Sequence, residues 1–354
     1  MADVYKKLAV HLDNTPGGFP ATESGVELRI LKQLFTPLEA ELALCLVMMP
    51  EPADTIAEKV GKPEQEIVPV LNQMGEKGLI LHIQKNGTDT FMLLQFVVGI
   101  WEYQVNRLTR QLIADFNAYV PYLIKSQNKN KTKQLRVVPV EKSINTQLHI
   151  MDHERLENLI RQQSKILVAP CICRREHEMV GKGCGKMEEA CLVFGGGAYI
   201  YESRGIGRTI TQEEALDIIH KGVEQGLVPQ PSNTVKPVNI CLCCDCCCQI
   251  LSNIKKSSAP ARLVNSNFQA CVDDNSCTGC QACEQICPMD AVAMDDTGMT
   301  AAVNVERCIG CGLCVTACAY DAISLTDKKQ MERWEPPRTL VDTYMRIAKE
   351  KGLF

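Results

Sequence analysis

The chain has 354 residues, a formal charge of −4 (38 basic against 42 acidic), 45% apolar content, 5% aromatics and twenty cysteines. No run approaches the roughly 20 apolar residues of a membrane span, the opening Met-Ala-Asp-Val-Tyr-Lys-Lys lacks the apolar core of a secretory signal, and the few aromatics argue against a sugar- or base-stacking platform. A cytoplasmic protein that uses thiolates as metal ligands is expected, not a disulfide-laced secreted one.

Only Cys45 falls in the first 170 residues. Residues 1–110 have their own pattern. Glu27–Phe35 and Pro37–Met49 carry helical periodicity, and Ala53–Gly61 is a short capped helix closed by glycine. Pro63–Lys77 is a second helix, with Ile67, Val70, Leu71 and Met74 on one face. Leu79–Gln84 and Thr90–Leu94 are strands around the turn signal Lys85-Asn86-Gly87. Together these predict a winged helix-turn-helix-like domain, a fold that often reads DNA through the second helix of the pair. The charge opposes that use. Residues 20–110 hold eight basic and twelve acidic residues, a net of 8 − 12 = −4, and the would-be recognition helix opens with Glu64 and Glu66. Phosphate binding needs the opposite sign, so docking to protein is the favoured reading and DNA is disfavoured. Phe96–Leu108 reads as a further helix, residues 111–165 as a helical and linker segment, and Asn128-Lys-Asn-Lys-Thr-Lys as a solvated loop.

Residues 166–265 form a cysteine-rich domain of α/β character. The apolar run Ile166–Pro170 predicts a buried strand that delivers Cys171 and Cys173 to a loop. Cys184 sits in a Gly-Lys-Gly-Cys-Gly turn, and Cys191 precedes Leu-Val-Phe-Gly195-Gly-Gly197, read as a loop, as is Gly205-Ile-Gly207. A capping box, Thr211-Gln-Glu-Glu214, starts a helix that runs to Gln225 before Gly226. His220 on that helix reads as a core histidine, with His177 and His220 as iron ligands the competing use. Arg174 and Arg175 beside Cys173 are either thiolate-stabilising donors or a surface pair. Then Cys241, Cys243, Cys244, Cys246, Cys247 and Cys248 crowd six cysteines into eight residues. Neighbouring side chains diverge on any regular element, so a loop wrapped around one metal centre, or shared between two, is the natural reading. These ten cysteines predict at least one further iron–sulfur cluster, with zinc as the alternative. The expected frame is a β-α-β unit in which the 212–225 helix crosses between neighbouring strands that end at Pro170 and near Ile240.

The final region reads Cys277-x2-Cys280-x2-Cys283-x3-Cys287, then Cys308-x2-Cys311-x2-Cys314-x3-Cys318. The offset, 308 − 277 = 31, superimposes all four cysteines, and also Asp290-Ala-Val292 on Asp321-Ala-Ile323 and Val272 on Val303. A short strand is expected before and after each run. Zinc knuckles compete poorly, because two consecutive runs of this spacing are not a usual zinc pattern. Cys271 corresponds to Ala302 under the same offset and reads as structural.

Residues 267–326 resemble bacterial-type ferredoxin domains with two [4Fe-4S] clusters. In that family the fourth cysteine of each run crosses to the other cluster. The resemblance therefore implies one cluster on Cys277, Cys280, Cys283 and Cys318, and another on Cys308, Cys311, Cys314 and Cys287, both of low potential. Ala319 stands where the family's second proline usually lies. The middle region resembles cysteine-rich, ferredoxin-like proteins of anaerobes, a resemblance that brings no ligand set with it. Asp245 replaces the glycine of the Cys-Cys-Gly signature found in heterodisulfide-reductase-type sites. The expected domains are 1–110 winged helix, 111–165 linker, 166–265 cysteine-rich, 266–327 ferredoxin and a tail helix in 328–354, an α+β multidomain chain.

No acid–base or nucleophile constellation and no convincing flavin or nicotinamide motif is present, so no catalytic residue is assigned. The expected function is single-electron transfer, as a free carrier or as the electron-transfer subunit of an anaerobic oxidoreductase complex. Its partners would be a redox protein or oxidoreductase subunits, with a homo-oligomer left open. A redox- or iron-responsive regulator using the winged helix is the alternative, and an enzyme built on an unusual middle cluster a third.

Overall fold

Capping chemistry sets many of the helix boundaries in the computed structural model, which describes residues 3–85, 87–296, 298–328 and 333–353. The chain divides into one unit of Met1–Lys131 with Tyr344–Phe354, and a second of Thr132–Thr343.

The first unit contains α1 (Val4–Asp13), α2 (Val26–Leu34), α3 (Pro37–Cys45), β1 (Glu51–Pro52), α4 (Ala53–Val60), α5 (Glu64–Lys77), β2 (Ile80–Lys85), β3 (Thr88–Leu93) and α6 (Arg110–Gln127). A capping box starts α3: the Glu39 N–H donates to Thr36 Oγ1 at 3.3 Å, and the Thr36 N–H donates to Glu39 Oε2 at 2.8 Å. Gly61 closes α4 in the left-handed region at φ 68°. The strands form an antiparallel sheet of order β1-β3-β2. Asn86, at the centre of the expected hairpin turn, lies outside the described residues. The helix expected over Phe96–Leu108 does not form as one element: Val97, Val98 and Gly99 have non-helical dihedrals, and a 3-10 turn follows at Glu102–Gln104. Two β-branched residues and a glycine are weak helix formers. The Gly99 N–H is taken by the Glu102 carboxylate at 2.6 Å. Phe96 and Trp101 instead enter an aromatic core, in which Trp101 stacks on Phe116 at 3.5 Å.

The second unit contains α7 (Leu156–Arg161), β4 (Ile166–Pro170), α8 (Ile172–Met179), β5 (Glu189–Phe194), α9 (Gly195–Ser203), β6 (Arg208–Ile210), α10 (Gln212–Glu224), β7 (Val228–Pro231), β8 (Asn239–Cys243) and α11 (Gln249–Lys255). Beyond them lie β9 (Phe268–Val272), α12 (Ala282–Ile286), β10 (Val292–Met294), β11 (Ala301–Val303), α13 (Leu313–Ala317) and β12 (Ile323–Asp327); α14 (Leu340–Glu350) spans the division at Tyr344. Strands β4 to β8 make one sheet of order β6-β4-β5-β8-β7 in which every pair is antiparallel. This corrects the β-α-β expectation. β5 pairs with both β4 and β8 and separates them, so α10 does not cross between neighbouring strands. β5 escapes a sequence reading because it opens in the polar Glu189 and runs straight into the glycine triplet. Because β4 and β8 both run antiparallel to β5, they are parallel to each other, and the cysteines at their C-terminal ends reach the same end of the sheet. The glycine triplet Gly195–Gly197, expected as a loop, opens α9 directly after β5.

The repeat at the end of this unit is doubled in three dimensions. β9 pairs with β12 and β10 with β11, with Val272 opposite Ile323 and Val303 opposite Val292. Gly279 and Gly310, 31 residues apart, share φ values of 67° and 70°, and Asp290 and Asp321 share 50° and 52°. A Cβ on Gly310 would meet the Phe268 carbonyl oxygen at 2.1 Å, and one on Gly279 the Met299 carbonyl oxygen at 2.8 Å. Glycine is needed at both positions for close approach as well as for conformation.

Candidate metal centres

Each cysteine run of the repeat leads into a five-residue helix, α12 or α13, entered through a left-handed residue, Gln281 at φ 63° or Gly312 at φ 78°. That turn folds the first three cysteines of a run around a hollow. The fourth cysteine, beyond the helix, faces the other hollow. One cavity is lined by Cys277, Cys280, Cys283 and Cys318, together with Val272, Met294 and Ile323. The other is lined by Cys287, Cys308, Cys311 and Cys314, together with Met289, Val292 and Leu325. Each cavity therefore takes three cysteines from one run and the last cysteine of the other.

Backbone donors aim at these sulfurs. The Ala301 N–H donates to Cys277 Sγ at 3.4 Å and the Ala270 N–H to Cys308 Sγ at 3.3 Å, a crossed pair under the 31-residue offset. The Ala291 N–H donates to Cys287 Sγ at 3.2 Å. Such bonds stabilise thiolate and tune a bound cluster. The cavities differ in burial: Cys308, Cys311 and Cys314 are all buried, whereas Cys280 is exposed. Burial first, and then the charge of neighbouring cysteines, pushes the Cys311 and Cys314 thiols well above the ordinary range. A cation is what would hold them as thiolates. A soft-donor set of four sulfurs, apolar walls and oriented N–H groups fits an iron–sulfur cluster in each cavity.

Residues 276–322 match the family model of the 4Fe-4S dicluster domain. The match spans all eight of these cysteines and supports a ferredoxin-type iron–sulfur domain. Neither the curated proteins nor the solved structures compared with the chain gave a match.

The structure separates the ten middle cysteines into two sets. Cys184, Cys244, Cys246 and Cys247 gather with all four sulfurs within 4.8 Å of one another. The other six form a chain of thiol contacts: Cys171 with Cys173, Cys173 with Cys248, Cys248 with Cys243, Cys243 with Cys241, and Cys241 with Cys191. Cys191 and Cys241 are direct cross-strand partners of β5 and β8. Shared hydrogen bonds push the Cys173 and Cys243 thiols up, through Cys171 and Cys241 first, and hold Cys248 down, through Cys173 first. Asn239 Nδ2 donates to Cys241 Sγ at 3.5 Å. Cys243 and Cys248 pack in the same hydrophobic core as Cys283, Cys308, Cys311 and Cys314, whereas Cys244 and Cys247 pack in the core under the sheet.

Arg174 lies between the sets. It is buried, donates to the Leu242 carbonyl at 2.6 Å and the Met187 carbonyl at 2.8 Å, and contacts the Cys244 thiol. Its Nε is buried with no hydrogen-bond partner among the described residues. An unmatched buried donor beside Cys171, Cys243 and Cys244 fits an anionic sulfur centre. Arg175, in contrast, pairs with Glu188 at 2.6 Å. Neither histidine joins the sulfurs as a ligand. His177 Nδ1 bonds the Cys173 carbonyl at 2.7 Å, one helical turn back. His220 is exposed rather than in the core, because α10 turns Ile218 and Ile219 inward instead. Cys271 Sγ meets Ser324 Oγ at 3.3 Å inside the β9–β12 pair and lines neither cavity.

Sequence reasoning missed the backbone donors Ala270, Ala291 and Ala301, although the repeat offset that relates Ala270 to Ala301 was a usable signal. It also had no means of dividing the middle cysteines, because the partition depends on which sulfurs the turn at Cys184 and the loop after β8 bring together in space.

Proposed function

We propose that the chain is an electron-transfer subunit of an anaerobic oxidoreductase complex and carries two [4Fe-4S] clusters and a third iron–sulfur centre. The observation that carries the reading is the crossed lining of the two cavities, four cysteines to each. Cys277, Cys280, Cys283 and Cys318 would hold one cluster, and Cys308, Cys311, Cys314 and Cys287 the other. The further centre would draw on Cys171, Cys173, Cys191, Cys241, Cys243 and Cys248. Such clusters supply reversible one-electron oxidation and reduction. The protein's own part is to exclude water with Val272, Met289, Ile323 and Leu325, to direct the Ala270, Ala291 and Ala301 amides at sulfur, and to set the buried Arg174 guanidinium against the middle thiolates. The shared core of Cys243, Cys248 and the ferredoxin cysteines supports a relay within this unit.

The order α2-α3-β1-α4-α5-β2-β3, with its three-stranded sheet, supports a winged-helix reading of the first unit. The exposed Glu64 and Glu66 at the start of α5 favour a protein partner over a duplex. Anaerobic EPR with iron and sulfide analysis tests the proposal. About eight irons per chain are expected from the ferredoxin segment, and more if the middle centre is filled. An iron content near zero overturns it. Binding of a specific duplex more tightly than about micromolar overturns the protein-docking part.

A further inference from the structure

The four sulfurs of Cys184, Cys244, Cys246 and Cys247 are packed too closely for a cluster. In a cubane each thiolate caps a different iron at its own corner, which holds the thiolates apart across the whole core. In a single-ion site all four converge on one metal at about 2.3 Å, which puts the sulfurs roughly 3.8 Å from one another in a regular tetrahedron. Here all four lie within 4.8 Å, so small rotamer adjustments close them on one ion and leave no room for four irons.

The local backbone is shaped for the same purpose. Cys244 and Cys247 have the C-x2-C spacing of a metal-binding turn, and the Cys247 N–H donates to Cys244 Sγ at 3.4 Å. The Lys186 N–H donates to Cys184 Sγ from a turn closed by Gly185 at φ 68°. Asp245, the one carboxylate inside the run, is held away in an ion pair with Lys255 at 2.8 Å. Cys244 and Cys247 are buried, while Cys246 is exposed and Cys184 half-buried, which leaves a route for the ion from solvent.

We propose that Cys184, Cys244, Cys246 and Cys247 bind one zinc ion in a closed structural site, separate from the six-cysteine group. Four protein thiolates with no open position are the pattern of structural zinc, and zinc outcompetes ferrous iron at such donors. The ion ties the 183–185 turn to the loop after β8, some 60 residues later. The proposal goes beyond the electron-transfer reading and does not depend on it.

The test is metal analysis of the full chain purified without oxygen, with zinc-edge X-ray absorption. About one zinc per chain is expected, with four sulfur neighbours near 2.3 Å. Cys246→Ser should lower zinc at least about tenfold and leave the iron content and the EPR signals of the clusters unchanged. Wild-type protein without zinc overturns the proposal, as does oxygen or nitrogen in the zinc shell. Loss of about four irons in Cys246→Ser would show the quartet to be part of a cluster and overturns it as well. The absorption spectrum is taken on the wild-type chain, so the proposal stays open to refutation even if the variant does not fold. A chain with zinc and no iron would support this site while refuting the electron-transfer reading.

Discussion

The ferredoxin segment and the middle cysteine region reach similar sulfur density by opposite routes. In the first, a 31-residue repeat places equivalent residues in equivalent roles, so that Gly279 and Gly310, Asp290 and Asp321, and the Ala270 and Ala301 amides recur in matched geometry. In the second, nothing repeats. Ten cysteines from four separate stretches are sorted by where the turn at Cys184 and the loop after β8 meet in space and by a buried arginine. A repeat advertises its grouping along the chain, while the shared end of a sheet conceals it. The repeat is also more dependent on what it binds, since it has only two-stranded pairs and five-residue helices around its cavities. The middle region rests on a five-stranded sheet with its own apolar core.

That contrast predicts unequal responses to metal removal, the largest effect expected. Stripping iron anaerobically from the full chain should abolish ordered structure in the 266–327 segment and leave the five-stranded sheet protected, because metal binding supplies much of the folding free energy of so small a core. Hydrogen exchange resolved by peptide reads both regions at once, and equal protection loss in the two would break the comparison.

Next in size are single-ligand losses. Cys283→Ala should remove about half of the ferredoxin iron, since one cavity is damaged and the other keeps its four cysteines. Cys243→Ser should remove the middle iron and spare both ferredoxin EPR signals. If Cys283→Ala left iron content and spectra at wild-type values, the grouping drawn from the cavities would be wrong.

Arg174→Met should act on the middle region alone. It removes the donors to the part-buried Met187 carbonyl and the buried Leu242 carbonyl and leaves the latter unmatched, a cost of about 1–3 kcal/mol. Lower middle-cluster occupancy with unchanged ferredoxin spectra is expected, and a uniform loss of both would count against the division.

The smallest effect separates the two halves of the repeat. Gly310→Ala forces a Cβ against the Phe268 carbonyl and strains a left-handed residue, and should cost about 1–3 kcal/mol. Gly279→Ala, with more room at the Met299 carbonyl, should cost less. Thermal melts of the holoprotein give the order, and a reversed order would show that the halves are packed differently.

How much of this was legible in the sequence follows the same contrast. The eight repeat cysteines and their flanking strands could be read from spacing, and so could α4, α5 and α10, whose caps and apolar faces are local signals. The break at Val97–Gly99 was not, because the apolar periodicity continues through it and only the aromatic core around Trp101 and Phe116 makes the departure favourable. The sheet order was not legible for a different reason: the apolar run of β5, Ala190–Phe194, leads straight into a glycine triplet that reads as a loop, and the α10 helix offered a more familiar connection. His220 sits one position past the inward face of α10, a matter of about 100° of helical phase that a window of apolar neighbours does not resolve.

The crossed lining of the two ferredoxin cavities also imposes an order of assembly. The first three cysteines around one hollow are complete at Cys283, yet the fourth is Cys318, 318 − 283 = 35 residues later. At about 5–20 residues per second of synthesis, that hollow stays open on the ribosome for roughly two to seven seconds after its third thiol has emerged. The other hollow holds Cys287 from the start but gains its remaining three thiols only between Cys308 and Cys314. Both compartments therefore close within the same few residues of translation, and a nascent chain stalled before residue 308 owns neither. Maturation of this segment is concerted by topology, and a cell that limits iron meets it as a single late decision instead of two successive ones.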